Sequence, residues 1–283
     1  MQGSFVVRKA LNNNVLIASH AEYDEVVLIG KGIGFGKKNG DPIAPETIEK
    51  LFILKSEQEQ EQYKQLLNHI DERFIGLMND VISLIQKRVN APLNEHIHVA
   101  LTDHIYFAIK RIQQGMDLKN PFLLETKVMY PHEYTIAAEV IEMINERMEI
   151  NLPNGEIGFI ALHIHSALTA KRISEVNKHS QLIQTIIEMI EHAFHIAIDR
   201  DSIYYMRLIR HLHFTIERVK AGERAEEPKK IALLLKEEYP LCYNLSCKII
   251  KVMQQALKLP VYEAEAVYLT MHLQRLVVKT ELA

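Results

Sequence analysis

Four histidines fall in pairs that repeat along the chain. His104 in HIYFAIKR is followed seven residues later by Arg111, and His211 in HLHFTIER is followed seven later by Arg218. His163 is preceded at the same interval by Glu156, and His272 by Glu265. Seven residues is two helical turns, so each of these histidines shares a helix face with a cation or a carboxylate. A neutral imidazole, with an ordinary pKa of about 6.5, accepts a phosphoryl group near neutral pH, and a nearby arginine then meets the phosphate. The chemistry on offer is phosphoryl acceptance, with the protein as substrate. No nucleophile–base pair converges by spacing, so the chain does not read as an enzyme.

Fourteen histidines also raise a metal reading, above all His96 with His98 and His163 with His165. Residues two apart on a helix point about 200° from each other, and no HExxH or histidine–cysteine cluster accompanies them. Neither a metal nor a cofactor is expected. A lone histidine on an amphipathic helix is ordinarily a satisfied, partly buried side chain; the duplicated register sets these four apart. Asp103, beside His104, is open as an orienting group, although adjacent helical side chains diverge.

A second constellation lies near the start, where LNNNV is followed by VVLIGKGIGFGKK. A phosphate-binding P-loop needs glycines five apart followed by Lys and Ser or Thr, but Phe35 stands five after Gly30 and Lys37 five after Gly32. The dinucleotide pattern GxGxxG fails at Phe35 as well. Each glycine taken alone reads as a turn or bulge residue. Taken together, asparagine amides for base edges, glycines for close approach, an exposed Phe for stacking, and Lys9, Lys31, Lys37 and Lys38 for phosphates suit a structured RNA. The net charge is −3 for the chain and +1 for residues 1–43, so any basic patch is local. A dimer would double that patch, and a sheet of about 40 residues is near the lower size limit for a monomeric core.

The elements that must carry these residues follow from pattern. Ser4 to Leu11 alternates Phe5, Val7 and Lys9 against Val6, Arg8 and Ala10; Val15 to Ala18 and Glu25 to Ile29 are further strands. Asn12 to Asn14 and His20 to Asp24 fall where turns belong. Ser56 with Glu59 is a capping box, after which Ile70, Phe74, Leu77, Met78, Val81, Ile82 and Ile85 form the stripe of a core-facing helix. Downstream the sequence duplicates itself. His104 answers His211 at an offset of 107, while Tyr130-Pro131 answers Tyr239-Pro240, Glu156 answers Glu265 and His163 answers His272 at 109.

The fold expected is a small antiparallel all-β N-terminal domain followed by two duplicated all-α helical-bundle domains, bounded at 1–55, 62–170 and 171–283. An apolar fraction of 48% in 283 residues supports a folded core throughout. No apolar window approaches about 18 residues and no export signal opens the chain, so a cytoplasmic protein without membrane insertion is expected. Cys242 and Cys247 read as free thiols.

These residues resemble the BglG/SacY family of bacterial transcriptional antiterminators over essentially the whole chain. LNNNV with VVLIGKGIGF is similar to that family's co-antiterminator RNA-binding domain, and the duplicated half to its two phosphotransferase-system (PTS) regulation domains. The resemblance implies a homodimer that clamps an imperfect hairpin in a leader mRNA and blocks an overlapping terminator. Its RNA contacts fall here on Lys9, Asn12, Asn14, Gly30, Lys31 and Phe35. Its phosphorylated histidines fall on His104 and His163 in the first regulatory domain, and on His211 and His272 in the second. The carrier protein HPr and a sugar-specific enzyme IIB are the implied donors. MQGSFVV, GKGIGFGKK and HIHSAL resemble the glucose-type branch; Gly36 stands where many other relatives carry Gln. The alternative, a DNA-binding activator with the same regulatory domains, needs a helix-turn-helix where residues 1–43 read as strands.

Overall fold

The computed structural model describes residues 4–11, 13–52, 70, 72–116, 118–224 and 228–280. Its contacts divide it into two compact units, Met1–Lys119 with Thr135–Lys171, and Asn120–Tyr134 with Arg172–Ala283.

The N-terminal residues form a five-stranded antiparallel sheet of β1 (Phe5–Ala10), β2 (Val15–His20), β3 (Asp24–Ile29), β4 (Pro42–Ile43) and β5 (Lys50–Phe52), in the order β4-β1-β2-β3-β5. The three long strands are those that the apolar runs predict. Strands of two and three residues are too short to show a period, so β4 and β5 leave no sequence signal. Side chains alternate between faces, and Phe5, Val7, Leu16, Ala18, Val26 and Leu28 form one apolar cluster with Ile33 and Ile43. Each large apolar side chain fully buried there contributes about 1.5–3 kcal/mol.

Strict alternation would send Lys9 to the same face as Phe5 and Val7. Instead the pairing of β1 with β2 shifts register between Val7 and Lys9, and both Arg8 and Lys9 are exposed. A bulge of this kind inserts one residue and re-aims those that follow.

Ten helices follow among the described residues, in two runs of five. The first run is α1 (Glu72–Arg88), α2 (Ile97–Gln113), α3 (Leu123–Met129), α4 (Pro131–Met148) and α5 (Gly155–Thr169). The second is α6 (Ile173–Phe194), α7 (Ile203–Lys220), α8 (Lys229–Glu238), α9 (Pro240–Leu257) and α10 (Ala264–Thr280). The predicted stripe holds, since Phe74, Leu77, Met78, Val81, Ile82 and Ile85 of α1 are all buried. The capping box at Ser56 and Glu59 lies outside the described residues.

Duplication extends to the backbone. Tyr130 and Tyr239 have φ/ψ of −128/59° and −132/56°, because the proline after each bars the α-helical conformation and restarts the chain as a new helix. Gly115 after α2 and Gly222 after α7 have φ of 73° and 72°, a left-handed turn that glycine adopts without strain.

α2 packs on α5, and α7 on α10. These are the helices that bear the four histidines. In the second unit α3 packs on α7 and brings in a buried carboxylate, Glu125, which accepts from the Tyr205 hydroxyl and, at 3.1 Å, from Arg200 Nη1. Burial, and then Glu125, push the Tyr205 phenol far above its ordinary range, so it stays a donor.

Candidate nucleic-acid interface and histidine centres

At one end of the sheet, the asparagine turn after β1 meets the glycine loop after β3. Gly30 N–H donates to the Asn14 carbonyl at 3.0 Å, Gly34 N–H to the Asn13 carbonyl at 2.9 Å, and Gly32 N–H to Asn14 Oδ1 at 2.7 Å. Within the loop, Ile33 N–H donates to the Gly30 carbonyl and Phe35 N–H to that of Gly32, at 3.1 and 3.0 Å. Ile33 turns into the core, and Phe35 is thrown outward with 75% of its surface exposed. An aromatic ring left in water on an ordered loop offers a face on which a base can stack.

Of the residues anticipated here, Lys9, Lys31 and Phe35 are exposed, Asn14 is half-buried, and Asn12 lies outside the described residues. Gly30 is buried for a packing reason. A Cβ built on it would lie 2.0 Å from the Thr47 carbonyl oxygen, in the 3-10 turn Pro45–Thr47. Glu49, which sequence pattern does not single out, accepts from the Lys31 N–H at 3.2 Å and Glu49 N–H donates to the Ile29 carbonyl at 2.9 Å. Residues 5–52 contain strands and one 3-10 turn, with no helix-turn-helix among the described residues.

In the first repeat, His104 Nε2 lies 2.9 Å from Glu156 Oε2, and Arg111 Nη2 donates to Glu156 Oε1 at 3.0 Å. Burial pushes the Glu156 carboxyl up, but His104 and Arg111 outweigh it and hold the group below its ordinary range. An ionised carboxylate only accepts, so Nε2 of a neutral His104 carries the proton and Nδ1 keeps the lone pair. The ring centroids of His104 and His163 are 5.0 Å apart. Burial first, then His104 and His96, push His163 down to about 3. Glu156, across the helix pair, therefore supplies the orienting contact that sequence left open at Asp103.

In the second repeat, His211 stacks on His272 with ring centroids 4.6 Å apart and planes at 25°. Glu265 is gripped by Arg218 in two bonds of 2.9 and 3.0 Å, and Thr215 Oγ1 donates to it at 3.1 Å. His211 makes no hydrogen bond to Glu265 among the described residues. Burial first, then His272 and Arg218, push His211 down to about 3. His272 is lowered by burial, Arg275 and Arg207. His163, His211 and His272 are thus all held below the ordinary imidazole range, the direction that favours the form with a lone pair to give.

Among the described residues no histidine, cysteine and carboxylate group could hold a metal ion, and no helix is long and apolar enough to cross a membrane. Cys242 and Cys247 are free thiols.

A small sheet with an exposed aromatic on a glycine loop, followed by a twice-built helical module with paired histidines, defines an RNA-binding regulator. Residues 5–61 match the CAT RNA binding domain, and residues 79–167 and 184–276 each match the PRD domain. The chain belongs to the BglG/SacY family of transcriptional antiterminators. It is 62% identical to the PtsGHI operon antiterminator of Bacillus subtilis, over 98% of each chain. It is 42% identical to the GlcA/glcB genes antiterminator of Staphylococcus carnosus, again over 98% of each. A solved structure titled as the crystal structure of GlcT CAT-PRDI matches with a TM-score of 0.54 and 66% identity, covering 59% of this chain and 99% of that one.

Proposed function

We propose that this cytoplasmic protein binds, as a homodimer, an imperfect hairpin in the leader mRNA of a glucose-type phosphotransferase operon and keeps the overlapping terminator from forming. The observation that carries the reading is Phe35, exposed on a loop that Asn14 holds in shape. Lys9, Asn12, Asn14, Gly30, Lys31 and Phe35 make the RNA face. The relative named for the PtsGHI operon supports the choice of target.

Activity is set at His104 and His163 in a regulatory domain spanning 62–170, and at His211 and His272 in one spanning 171–283. HPr and a sugar-specific enzyme IIB are the phosphoryl donors. Each event adds about −1.5 to −2 charges to an imidazole. Beside Glu156 that charge is repelled, and Arg111 must leave the carboxylate to meet it; at a two-fold axis it would repel its own copy. Phosphate on His104 or His163 therefore weakens dimerisation when sugar is absent, and incoming sugar drains it.

The test is a leader–reporter strain carrying His104→Ala or His163→Ala. Loss of sugar dependence, with antitermination always on, is the expected result. Unchanged sugar dependence in both variants contradicts the reading.

A further inference from the structure

The two repeats use the same buried glutamate differently. Glu156 Oε2 meets His104 Nε2, whereas Glu265 Oε2 accepts from Thr215 and Arg218. His104, Ala108 and Arg111 stand at intervals of four and three on α2, as His211, Thr215 and Arg218 do on α7. All six lie on one stripe of their helix, so position 108 or 215 sits between histidine and arginine. Ala108 and Thr215 are both buried, at 1% and 2% exposure, and only the threonine has a proton to donate.

We propose that Thr215 is a positioning residue whose hydroxyl, with Arg218, holds Glu265 off His211, while Ala108 leaves Glu156 to tie His104. The two repeats then offer a phosphoryl donor histidines in different states. This rests on the phosphoacceptor reading above and deepens it.

The chemical consequence differs by repeat. On His104 the bound Nε2–H leaves Nδ1 as the nucleophile. A phosphorus–nitrogen bond forms there as the bond from phosphorus to the donor protein's phosphorylated side chain breaks, and that electron pair returns to the donor's side chain. The product ring, phosphorylated at Nδ1 and protonated at Nε2, is cationic, and Glu156 neutralises it. Phosphoryl transfer to Nε2 would first require Glu156 to let go. Among the described residues no carboxylate is bonded to either nitrogen of His211, so neither is tied in the way that Nε2 of His104 is.

The charged groups common to both sites do not account for the difference. His211 is acted on by Arg218 on its own helix and His272 on α10, with Arg207 and Arg275 acting on His272. His104 faces Arg111 and Asp103 on its own helix, and Glu156 and His163 on α5, with His96 acting on His163. Arginine, glutamate and the second histidine are present in both; the hydroxyl is in one.

The test uses the full-length protein labelled with 15N, its imidazole nitrogens followed by long-range proton–nitrogen correlation through a pH series. The wild type should show His104 as the Nε2–H tautomer. Thr215→Val, which keeps volume but removes the donor, should bind His211 to Glu265 and raise its midpoint by at least about one pH unit, tenfold in proton affinity. Thr215→Ser should restore the wild-type spectrum, and His104 should not move in either. The reciprocal Ala108→Ser should free His104 and decides the matter if Thr215→Val does not fold. A folded Thr215→Val with an unaltered His211, or a serine variant that behaves like valine, overturns the proposal. Incubation of the same proteins with phosphorylated HPr separates the two readings. No phosphate on any of the four histidines would refute the phosphoacceptor reading while the spectra still decide the role of Thr215.

Discussion

Asn14 Oδ1 accepts a 2.7 Å hydrogen bond from the Gly32 N–H, joining two loops whose residues are 18 apart in sequence. One oxygen of the asparagine turn thus fixes the path of the glycine loop. Phe35 stands at the end of that path, held out of the core by geometry rather than by its own chemistry. The proposed RNA face is thus held in shape by the chain's own hydrogen bonds, which lowers the ordering cost of binding.

Phe35→Ala should weaken RNA binding by roughly 1–3 kcal/mol through the lost stacking surface. Its thermal midpoint should barely change, because the ring is 75% exposed and contributes little to the core. Fluorescence anisotropy and calorimetry on the same preparation check both halves. A variant that binds normally but melts early would make Phe35 a packing residue.

Gly30→Ala should behave in the opposite manner. The added methyl lands 2.0 Å from the Thr47 carbonyl oxygen, and backbone has to move to admit it. A cost of about 1–3 kcal/mol in stability is expected, seen as a lower urea midpoint, with RNA affinity falling because the loop has shifted.

Acid should destabilise the helical domains from near neutrality downward. His163 and His211 titrate at about 3 in the folded chain against 6.5 when free. Between those values the unfolded chain binds more protons, so their contribution is complete above about 6.5 and is lost as pH falls toward 3, at up to about 1.4 kcal/mol per pH unit for each. Glu156, held below its ordinary 4.5, adds a loss in the same direction below that value. Urea unfolding between about pH 7 and about pH 5 measures the slope; His163→Gln and His211→Gln should each flatten it.

Tyr205→Phe should cost about 1–3 kcal/mol at neutral pH, because Glu125 is fully buried and, among the described residues, would keep only Arg200 as a hydrogen-bond partner. Thermal unfolding reads this directly. An unchanged midpoint would mean that water reaches Glu125.

Much of the fold was written in local pattern. Alternation marked β1, apolar runs marked β2 and β3, the apolar stripe marked α1, and the Tyr-Pro pairs at 130 and 239 helped to mark the duplication. The duplication placed four histidines in register, and the fold brings each pair into ring contact. What pattern did not show is partnership across distance. His104 meets Glu156 over 52 residues and Thr215 meets Glu265 over 50, separations at which no helical or strand period carries information. The bulge at Val7 and Lys9 escaped for a related reason: an inserted residue reverses the alternation that would otherwise reveal it. Only a direct comparison of the two repeats, Ala108 against Thr215, carries the signal for the carboxylate's change of partner.

The most direct test of the central claim is fluorescence anisotropy of the unphosphorylated full-length protein. The probe is an imperfect RNA hairpin from the leader of a neighbouring or glucose-permease gene, with a DNA hairpin of the same sequence as control. Tight binding to the RNA, absent with the DNA and lost in Phe35→Ala, is the predicted result. Equal affinity for both hairpins, or no binding by a folded protein across such leaders, would contradict RNA recognition as the output of this chain.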